Sequence, residues 1–321
     1  MSLKNLFIDK YKPRYLDDFV LTDDFKTTLK LLINVDKLNI LFIGNPGSGK
    51  TSILNAIVKE YYKDISIQEY SNNILEINNL REQGINYYRN DVKIFCQTRS
   101  SIVNKKKILL LDDIDIINEQ SQQIFRNFID KYSHNVHFIS SCNNLLKVIE
   151  SIQSRFYLIR IHTIKYSDLE KIMDNICKKE KIIIENDAKD FILNICNNTS
   201  KILINYMEKF KLLNKIITLE IANNICTNIS FITFTKYTEC IKNKQMKNAI
   251  NILLSIYDNG YSVMDILDNY YLFIKHTKIL NDDEKYQIIS IICKYINIFH
   301  NIHEDEIELS LFTNNIIDII L

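Results

Sequence analysis

The sequence is poor in tryptophan, proline and glycine. Its 321 residues include no tryptophan, two prolines and five glycines. Runs of isoleucine, asparagine, lysine and tyrosine take their place, a bias that we attribute to an AT-rich genome and that carries little functional information. The scarcity makes one stretch stand out, because three of the glycines and one proline fall within residues 41–54.

Other features are also absent, and each absence excludes a class of protein. The seven cysteines are scattered without a Cys-x-x-Cys pair, so neither disulfides nor structural zinc is expected, and we predict reduced thiols in an intracellular protein. A net charge of +1 provides no overall field for nucleic acid or membranes, so any such binding needs a local patch. No apolar run approaches the roughly 20 residues that span a bilayer, so we predict a soluble protein without a membrane partner.

The stretch "LFIGNPGSGKTSIL" (41–54) has the order strand, loop, helix. It matches the phosphate-binding pattern G-x-x-x-x-G-K-[ST], in which backbone N–H groups converge on phosphate oxygens at the start of a helix. Lys50 is then expected to contact the β/γ-phosphates, and the Thr51 hydroxyl to ligate Mg²⁺. A structural glycine turn is the alternative. The predicted nucleotide contacts are Gly44, Asn45, Pro46, Gly47, Ser48, Gly49, Lys50, Thr51 and Ser52.

A second run, "KKKILLLDDID" (105–115), predicts a buried strand that ends in acids. Asp112 is the candidate partner of Mg²⁺, and Asp113 the residue that polarises the attacking water. The alternative is an acidic loop that caps the helix starting near Asn118.

Further apolar runs at 74–78, 136–143 and 156–161 predict more strands, and helical patterns lie between them at 84–97, 118–132 and 145–152. This alternation predicts an α/β domain with a parallel sheet. Asn143 ends one of these strands, where it could sense a γ-phosphate or orient water, although asparagine is also a common turn residue there.

Several segments resemble the small subunits of clamp loaders, the replication factor C family of AAA+ ATPases. The resemblance runs through about the first 210 residues and lies in "DKYKPRYLDDFV" (9–20), "LEINNLREQGINYYRNDVKIFCQ" (75–97), "LLLDDID" (109–115), "SQQIFRNFIDKY" (121–132) and "SSCNNLLKVIESIQSRF" (140–156). It implies ATP and Mg²⁺ as cofactors, Lys50, Asp112, Asp113 and Asn143 in catalysis, and Arg155 as an arginine finger that acts on ATP held by a neighbouring subunit. An exposed arginine after a helix is the alternative for Arg155.

The sequence departs from the family pattern at several positions. Asp113 stands where the family usually has glutamate, so hydrolysis could be slow while ATP binding is sound. Lys201 aligns with the second sensor, usually arginine, and Gln83 replaces another arginine. Phe156 and Asn45 replace a cysteine and a proline, changes that we expect to be tolerated.

The resemblance also implies DNA phosphate contacts by Arg89, Lys93 and Arg126. Arg89 and Lys93 are four residues apart and would share one face of the helix 84–97. A solvated charged face is the alternative. The implied partners are other subunits in a hetero-oligomer, which we expect to be a pentamer, a sliding clamp and primer–template DNA, in the nucleus or at another site of replication.

Three domains are predicted: a nucleotide-binding domain (1–162), a helical lid (163–230) with helices at 167–180, 187–196, 200–213 and from 218, and a helical collar (231–321). The expected function is ATP-dependent loading of the clamp. One alternative is a subunit that binds ATP but hardly hydrolyses it. Another is a different P-loop ATPase or a small-molecule kinase.

Overall fold

A computed structural model describes residues 6–77, 88–299 and 302–320. The chain divides into two compact units. The first consists of residues 1–175 and 198–208, and the second of residues 176–197 and 209–321. The predicted division into three domains with boundaries at 162 and 230 stays a prediction.

A five-stranded parallel sheet forms the centre of the first unit. The strands are β1 (Ile40–Ile43), β2 (Ile74–Ile77), β3 (Lys107–Leu111), β4 (Val136–Cys142) and β5 (Tyr157–Arg160), in the spatial order β2-β3-β4-β1-β5. The predicted strands are therefore confirmed, with somewhat shorter bounds. Because β3 ends at Leu111, the acids that follow it emerge at the carboxyl edge of the sheet.

Apolar side chains cover both faces of the sheet, as a parallel sheet requires. On β1, Ile40 and Phe42 belong to one core cluster, whereas Leu41 belongs to the other. Helices of this unit that contribute side chains to these clusters are Asp23–Asn34, Lys50–Tyr61, Ile67–Tyr70, Lys93–Gln97, Glu119–Tyr132 and Glu150–Gln153, and the short helix Phe7–Lys10 precedes them in the chain. The helices Tyr166–Glu180 and Ser200–Leu213 include residues of both units.

Two predicted helices differ in detail. Tyr88–Val92 is a π-helical turn that leads into the α-helix Lys93–Gln97, and the predicted residues 84–87 lie outside the described residues. The wider turn shifts the helical register, and Val92 and Cys96 both face the core. The helix predicted at 145–152 is a 3₁₀ turn (Leu145–Lys147) followed by the short helix Glu150–Gln153, because Val148 and Ile149 between them are extended.

The second unit is helical, as predicted. Its main core is lined by aromatic residues, among them Phe234, Tyr270 and Phe312, which are almost completely buried. The helices are Asn186–Ile195, Leu219–Cys226, Phe231–Lys242, Met246–Asp258, Val263–His276, Asp282–Phe299 and Ile307–Ile320. Across the described residues, no helix has the length and apolar character needed to cross a membrane.

Candidate active site

The glycine-rich loop joins β1 to the helix Lys50–Tyr61 and has backbone geometry that requires glycine. Gly47 and Gly49 have φ angles of +77° and +91°, in the left-handed region that other residues rarely adopt. Gly44 is needed for space instead, since a Cβ there would lie 2.8 Å from Ser48 Oγ and 3.2 Å from the carbonyl oxygen of Ile161. The concentration of glycine noted in the sequence therefore has a local steric cause.

Lys50, the first residue of the helix, is buried against this loop. Its Nζ donates to the carbonyl oxygens of Gly44 (2.8 Å) and Asn45 (3.0 Å) and to Oδ1 of Asn143 (2.6 Å). Burial lowers the pKa of Lys50, and the carboxylates that follow β3, led by Asp113, oppose this shift. The ammonium group thus lies at the carboxyl edge of the sheet, between the loop and the end of β4.

The acids after β3 meet the loop from the other side. Thr51 Oγ1 donates to Asp112 Oδ2 at 2.7 Å. Ser141 of β4 donates its hydroxyl to Asp112 Oδ1 and accepts the backbone N–H of Asp113 at 3.0 Å. Asn143 Nδ2 donates to Asp113 Oδ1 at 3.1 Å. The predicted residues Lys50, Thr51, Asp112, Asp113 and Asn143 are therefore joined in one hydrogen-bonded network.

The oxygen atoms of this network suit a magnesium ion. Mg²⁺ prefers oxygen ligands and commonly takes only one or two of them from the protein, with nucleotide phosphates and water supplying the rest. The Thr51 hydroxyl and the Asp112 carboxylate are adjacent oxygen donors at the phosphate-binding loop. The residues thus fit the predicted metal.

Asp113 has a perturbed environment. It follows β3 in a left-handed conformation (φ 52°), with its N–H held by Ser141. Burial raises the pKa of Asp113, and the neighbouring carboxylates of Asp112 and Asp115 raise it further, while Lys50 opposes them. A raised pKa makes a carboxylate a better proton acceptor at neutral pH, which suits a residue that polarises water.

Two residues of the network were missed from the sequence, Ser141 and Asp115. Asp115 Oδ2 accepts the backbone N–H groups of Asn143 (3.2 Å) and Asn144 (3.0 Å), so it fixes the end of β4 where the candidate sensor lies. Ser141 lies in the apolar run "VHFISSC", and a polar residue in a strand buried on both faces was the available signal.

A cavity of about 410 Å³ opens beside this network within the first unit. Pro46, Lys50 and Thr51 line it, together with Lys201 near the start of the helix Ser200–Leu213 and Tyr11 of the N-terminal segment. This volume is in the range of ligand sites. The structure therefore places Lys201 in the wall of the same cavity as the phosphate-binding loop, as the alignment with a second sensor requires.

Arg155 lies at the opposite edge of the sheet. It lies two residues before Tyr157, the first residue of β5, which pairs with Ile40 at the start of β1, whereas the phosphate-binding loop follows Ile43 at the end of β1. Parallel strands of this length separate the two edges by roughly 10 Å or more. Arg155 is thus not part of the network around Lys50. Its guanidinium pairs with both oxygens of Asp130 on the helix Glu119–Tyr132.

The candidate DNA contacts are described in part. Lys93 is exposed at the start of the helix Lys93–Gln97. Arg126 is half-buried on the next helix, with Nε 3.6 Å from Asp130 Oδ2. The side chain of Arg89 lies outside what the structure describes. The backbone at Arg89 is π-helical rather than α-helical, and the prediction that Arg89 and Lys93 share one face of the helical segment stays a prediction.

Comparison with known proteins identifies the family. The family model described as "ATPase family associated with various cellular activities (AAA)" matches residues 40–165. A replication factor C small subunit of Picrophilus torridus is 30% identical over 279 residues, which cover 86% of this chain and 86% of the relative. The chain belongs to the replication factor C small-subunit family. It is therefore a DNA-replication protein of the clamp-loader class, with an AAA+ fold and the nucleotide-binding domain of an ATPase.

Another relative and two solved structures are also similar to this chain. Replication factor C subunit 3 of Schizosaccharomyces pombe is 28% identical over 263 residues, covering 81% of this chain and 76% of the relative. The Thermotoga maritima RuvB Holliday junction branch migration motor has a TM-score of 0.53 at 14% identity, over 73% of this chain and 80% of that chain. A DNA polymerase III gamma subunit-related protein of Thermotoga maritima has a TM-score of 0.51 at 14% identity, over 91% and 98%. At such identities the two structures show the fold alone.

Proposed function

We propose that this chain is an ATP-dependent subunit of a clamp loader that opens a sliding clamp and places it on primer–template DNA. The observation that carries the proposal is the single network of Lys50, Thr51, Asp112, Asp113 and Asn143, in a chain that belongs to the replication factor C small-subunit family. Its partners would be other subunits in a hetero-oligomeric pentamer, the clamp and the DNA, at a site of replication.

ATP would enter the cavity beside the loop. Lys50 would exchange its acceptors in the loop and on Asn143 for β/γ-phosphate oxygens, because a phosphate is the stronger acceptor for an ammonium group. Asn143, released from Lys50, would then be able to contact the γ-phosphate or the attacking water. Thr51 and Asp112 would hold Mg²⁺, which when bound neutralises charge on the phosphates.

Asp113 would polarise the attacking water, and its short side chain is expected to make hydrolysis slow. Glutamate would extend the carboxylate by one methylene, and a displacement of about 1 Å can change a rate by on the order of 10²-fold. Phosphate release should therefore be measured in the assembled complex with and without Asp113→Glu. A large gain in the variant supports a subunit that binds ATP but hardly hydrolyses it, and an equal or lower rate supports an active site already adapted to aspartate.

A different P-loop ATPase or a kinase is the remaining alternative. It is tested by adding candidate phosphoryl acceptors to the purified chain and, separately, clamp and primed DNA to the complex. Stimulation of ATP consumption by an acceptor, with no response to clamp and DNA, would overturn the clamp-loader proposal.

Arg155 would act as a finger on ATP bound by the neighbouring subunit. Its position at the amino edge of the sheet, away from its own chain's loop, supports a role in trans. Arg155 also lines a polar cavity of about 390 Å³ together with Lys37, Lys106 and Asp36, in which Asp36 pairs with Lys106 at 3.1 Å.

The trans role is tested with Arg155→Ala in a complex whose other subunits are unaltered. ATP affinity of the altered chain should be nearly unchanged, while single-turnover hydrolysis at the adjacent site slows by roughly 10³-fold or more, as for other fingers. If the complex hydrolyses ATP and loads clamp at the parental rate, the finger assignment is wrong. If the isolated chain has a substantial ATPase that the substitution removes, Arg155 acts on its own site.

The DNA contacts would be made by Arg89, Lys93 and Arg126 from the helical layer beside β3 and β4. These side chains would contact phosphates and would hold the duplex without reading its sequence. Binding should accordingly weaken as salt rises.

A further inference from the structure

Arg155 is held almost completely by its own chain. Its Nε and Nη2 donate to the two oxygens of Asp130, the second at 3.1 Å. Its Nη1 donates to the carbonyl oxygen of Ser151 and to Ser154 Oγ at 3.2 Å. These bonds use four of the five N–H groups of the guanidinium.

Both edges of the guanidinium are therefore engaged. An arginine that stabilises a transferring phosphoryl group presents at least one edge of the guanidinium to the phosphate oxygens. In the described arrangement that edge is not available, so Arg155 has to break bonds within its own chain before it can bind phosphate. The bidentate pair with Asp130 is the main restraint, since it combines charge with two parallel hydrogen bonds.

We propose that Asp130 is a positioning residue that keeps the guanidinium of Arg155 bound to its own chain, which we call the closed state of the finger. When the finger opens, Arg155 leaves Asp130 to bind phosphate, and Arg126 takes over as the partner of Asp130. Arg126 lies one helical turn before Asp130, and its Nε is 3.6 Å from Asp130 Oδ2. That Nε is buried and has no hydrogen-bond partner among the described residues. A small movement would bring it into hydrogen-bond range of the carboxylate.

This exchange makes the closed state reversible. The side chains of Asp130 and Arg155 are 41% and 29% exposed, so solvent screens their attraction. When Arg155 leaves, Asp130 keeps a cationic partner in Arg126 and no charge is left unpaired. Opening therefore requires only a modest gain in binding free energy from the phosphates of the neighbour's ATP. A chain without a bound neighbour keeps its finger closed.

The inference rests on the proposed role of Arg155 in trans, so its test begins with that role. Asp130→Asn, Arg155→Ala and the double variant are each assembled with the native partner subunits, and single-turnover hydrolysis at the adjacent site is followed without DNA. Asp130→Asn should raise the rate by about two- to fivefold, the range expected for a partly exposed ion pair. In the Arg155→Ala background the same substitution should change nothing.

A matched control is Glu119→Gln, which removes one charge from the same helix about three turns away and should leave the rate unchanged. Arg126→Gln provides a second variant. It should lower the rate, because Asp130 then lacks its replacement partner, and this loss should vanish when Asp130→Asn is added. A purely structural role of Asp130 would lower the rate together with the melting temperature and would give no gain that depends on Arg155.

The outcomes distinguish the role of Arg155 as a finger from the role of Asp130 in holding it closed. If Arg155→Ala leaves hydrolysis at the adjacent site unchanged, the finger assignment is wrong and the closed state has no functional meaning. If Arg155→Ala slows hydrolysis but Asp130→Asn gives an equal or lower rate, the finger stands and the role of Asp130 in closing it is wrong.

Discussion

Ser141 offers a direct test of how the site holds Asp112, the proposed metal ligand. Its side chain is completely buried, and its hydroxyl both donates to Asp112 Oδ1 and accepts the N–H of Asp113. Ser141→Ala deletes this hydroxyl without adding bulk. Asp112 then loses the hydrogen bond from Ser141 and keeps the one from Thr51, and the N–H of Asp113 loses its bond to the Ser141 hydroxyl.

Two effects of different size should follow. A buried N–H without an acceptor costs about 1–3 kcal/mol of folding free energy, so the melting temperature should fall by a few degrees. Loss of the group that orients a metal-binding carboxylate commonly weakens metal affinity by about 10- to 100-fold. Binding of nucleotide without metal depends on Lys50 and the loop, and it should change little.

The assay compares ATP affinity in Mg²⁺ titrations with affinity in EDTA, for the parental protein, Ser141→Ala and Ser140→Ala. Ser140 is an apt control because it is buried on the same strand but points to the other face of the sheet. The expected result is that the Mg²⁺ concentration needed for half-maximal enhancement of ATP binding rises at least tenfold in Ser141→Ala and not in Ser140→Ala. An unchanged requirement, in a variant that is folded, would refute the idea that Ser141 orients Asp112.

Three further predictions follow from the same geometry. Lys50→Ala should abolish ATP binding, because the phosphates lose the cation at the start of the helix that follows the loop, and retained affinity for a fluorescent ATP analogue would contradict this. Lys93→Glu should weaken DNA binding similarly for all sequences and reduce the slope of log affinity against log salt concentration by about one or more. Lys131→Glu, on the helix that carries Arg126, serves as the control, and equal effects of the two substitutions would place the DNA elsewhere. Burial holds the pKa of His137 below its ordinary 6.5 despite the Asp36 carboxylate at 2.8 Å, so below about pH 6.5 the unfolded chain binds a proton that the native chain does not. Stability should thus fall from about pH 7.5 to about pH 5.5, and less steeply in His137→Gln; parallel melting curves for the two proteins would disprove this assignment.

The sheet and the phosphate-binding loop could be predicted because their signals are local. Each strand is a short apolar run, and the loop combines a fixed spacing with glycines that the backbone geometry requires at Gly47 and Gly49. The acids after Leu111 followed from the same reasoning, since a buried strand has to end where charge begins. The π-helical turn at Tyr88–Val92 had no such signal, because it depends on how Val92 and Cys96 pack against a helix distant in the sequence.

The partners within the site could not be predicted, because they join residues far apart in the chain. Ser141 and Asp112 are 29 positions apart, and Arg155 and Asp130 are 25 apart. Nothing in the residues around Asp130 indicates that it faces the arginine after another helix. The resemblance to a family supplied roles for Arg155 and Arg126 separately, but it did not indicate that the two share one carboxylate.

This sharing changes what the isolated chain is expected to do. A finger predicted from sequence is imagined as extended toward its target, whereas the structure has Arg155 bound along both edges by its own chain. Asp113, the residue proposed to polarise the attacking water, is likewise bonded to Asn143, and Asn143 to Lys50, so the groups that would act on ATP are partnered with one another before it binds. Each must exchange an internal partner for a phosphate oxygen or a water. Because Arg155 and the loop lie at opposite edges of the sheet, one chain cannot complete both exchanges with a single nucleotide, and activity should require a neighbour.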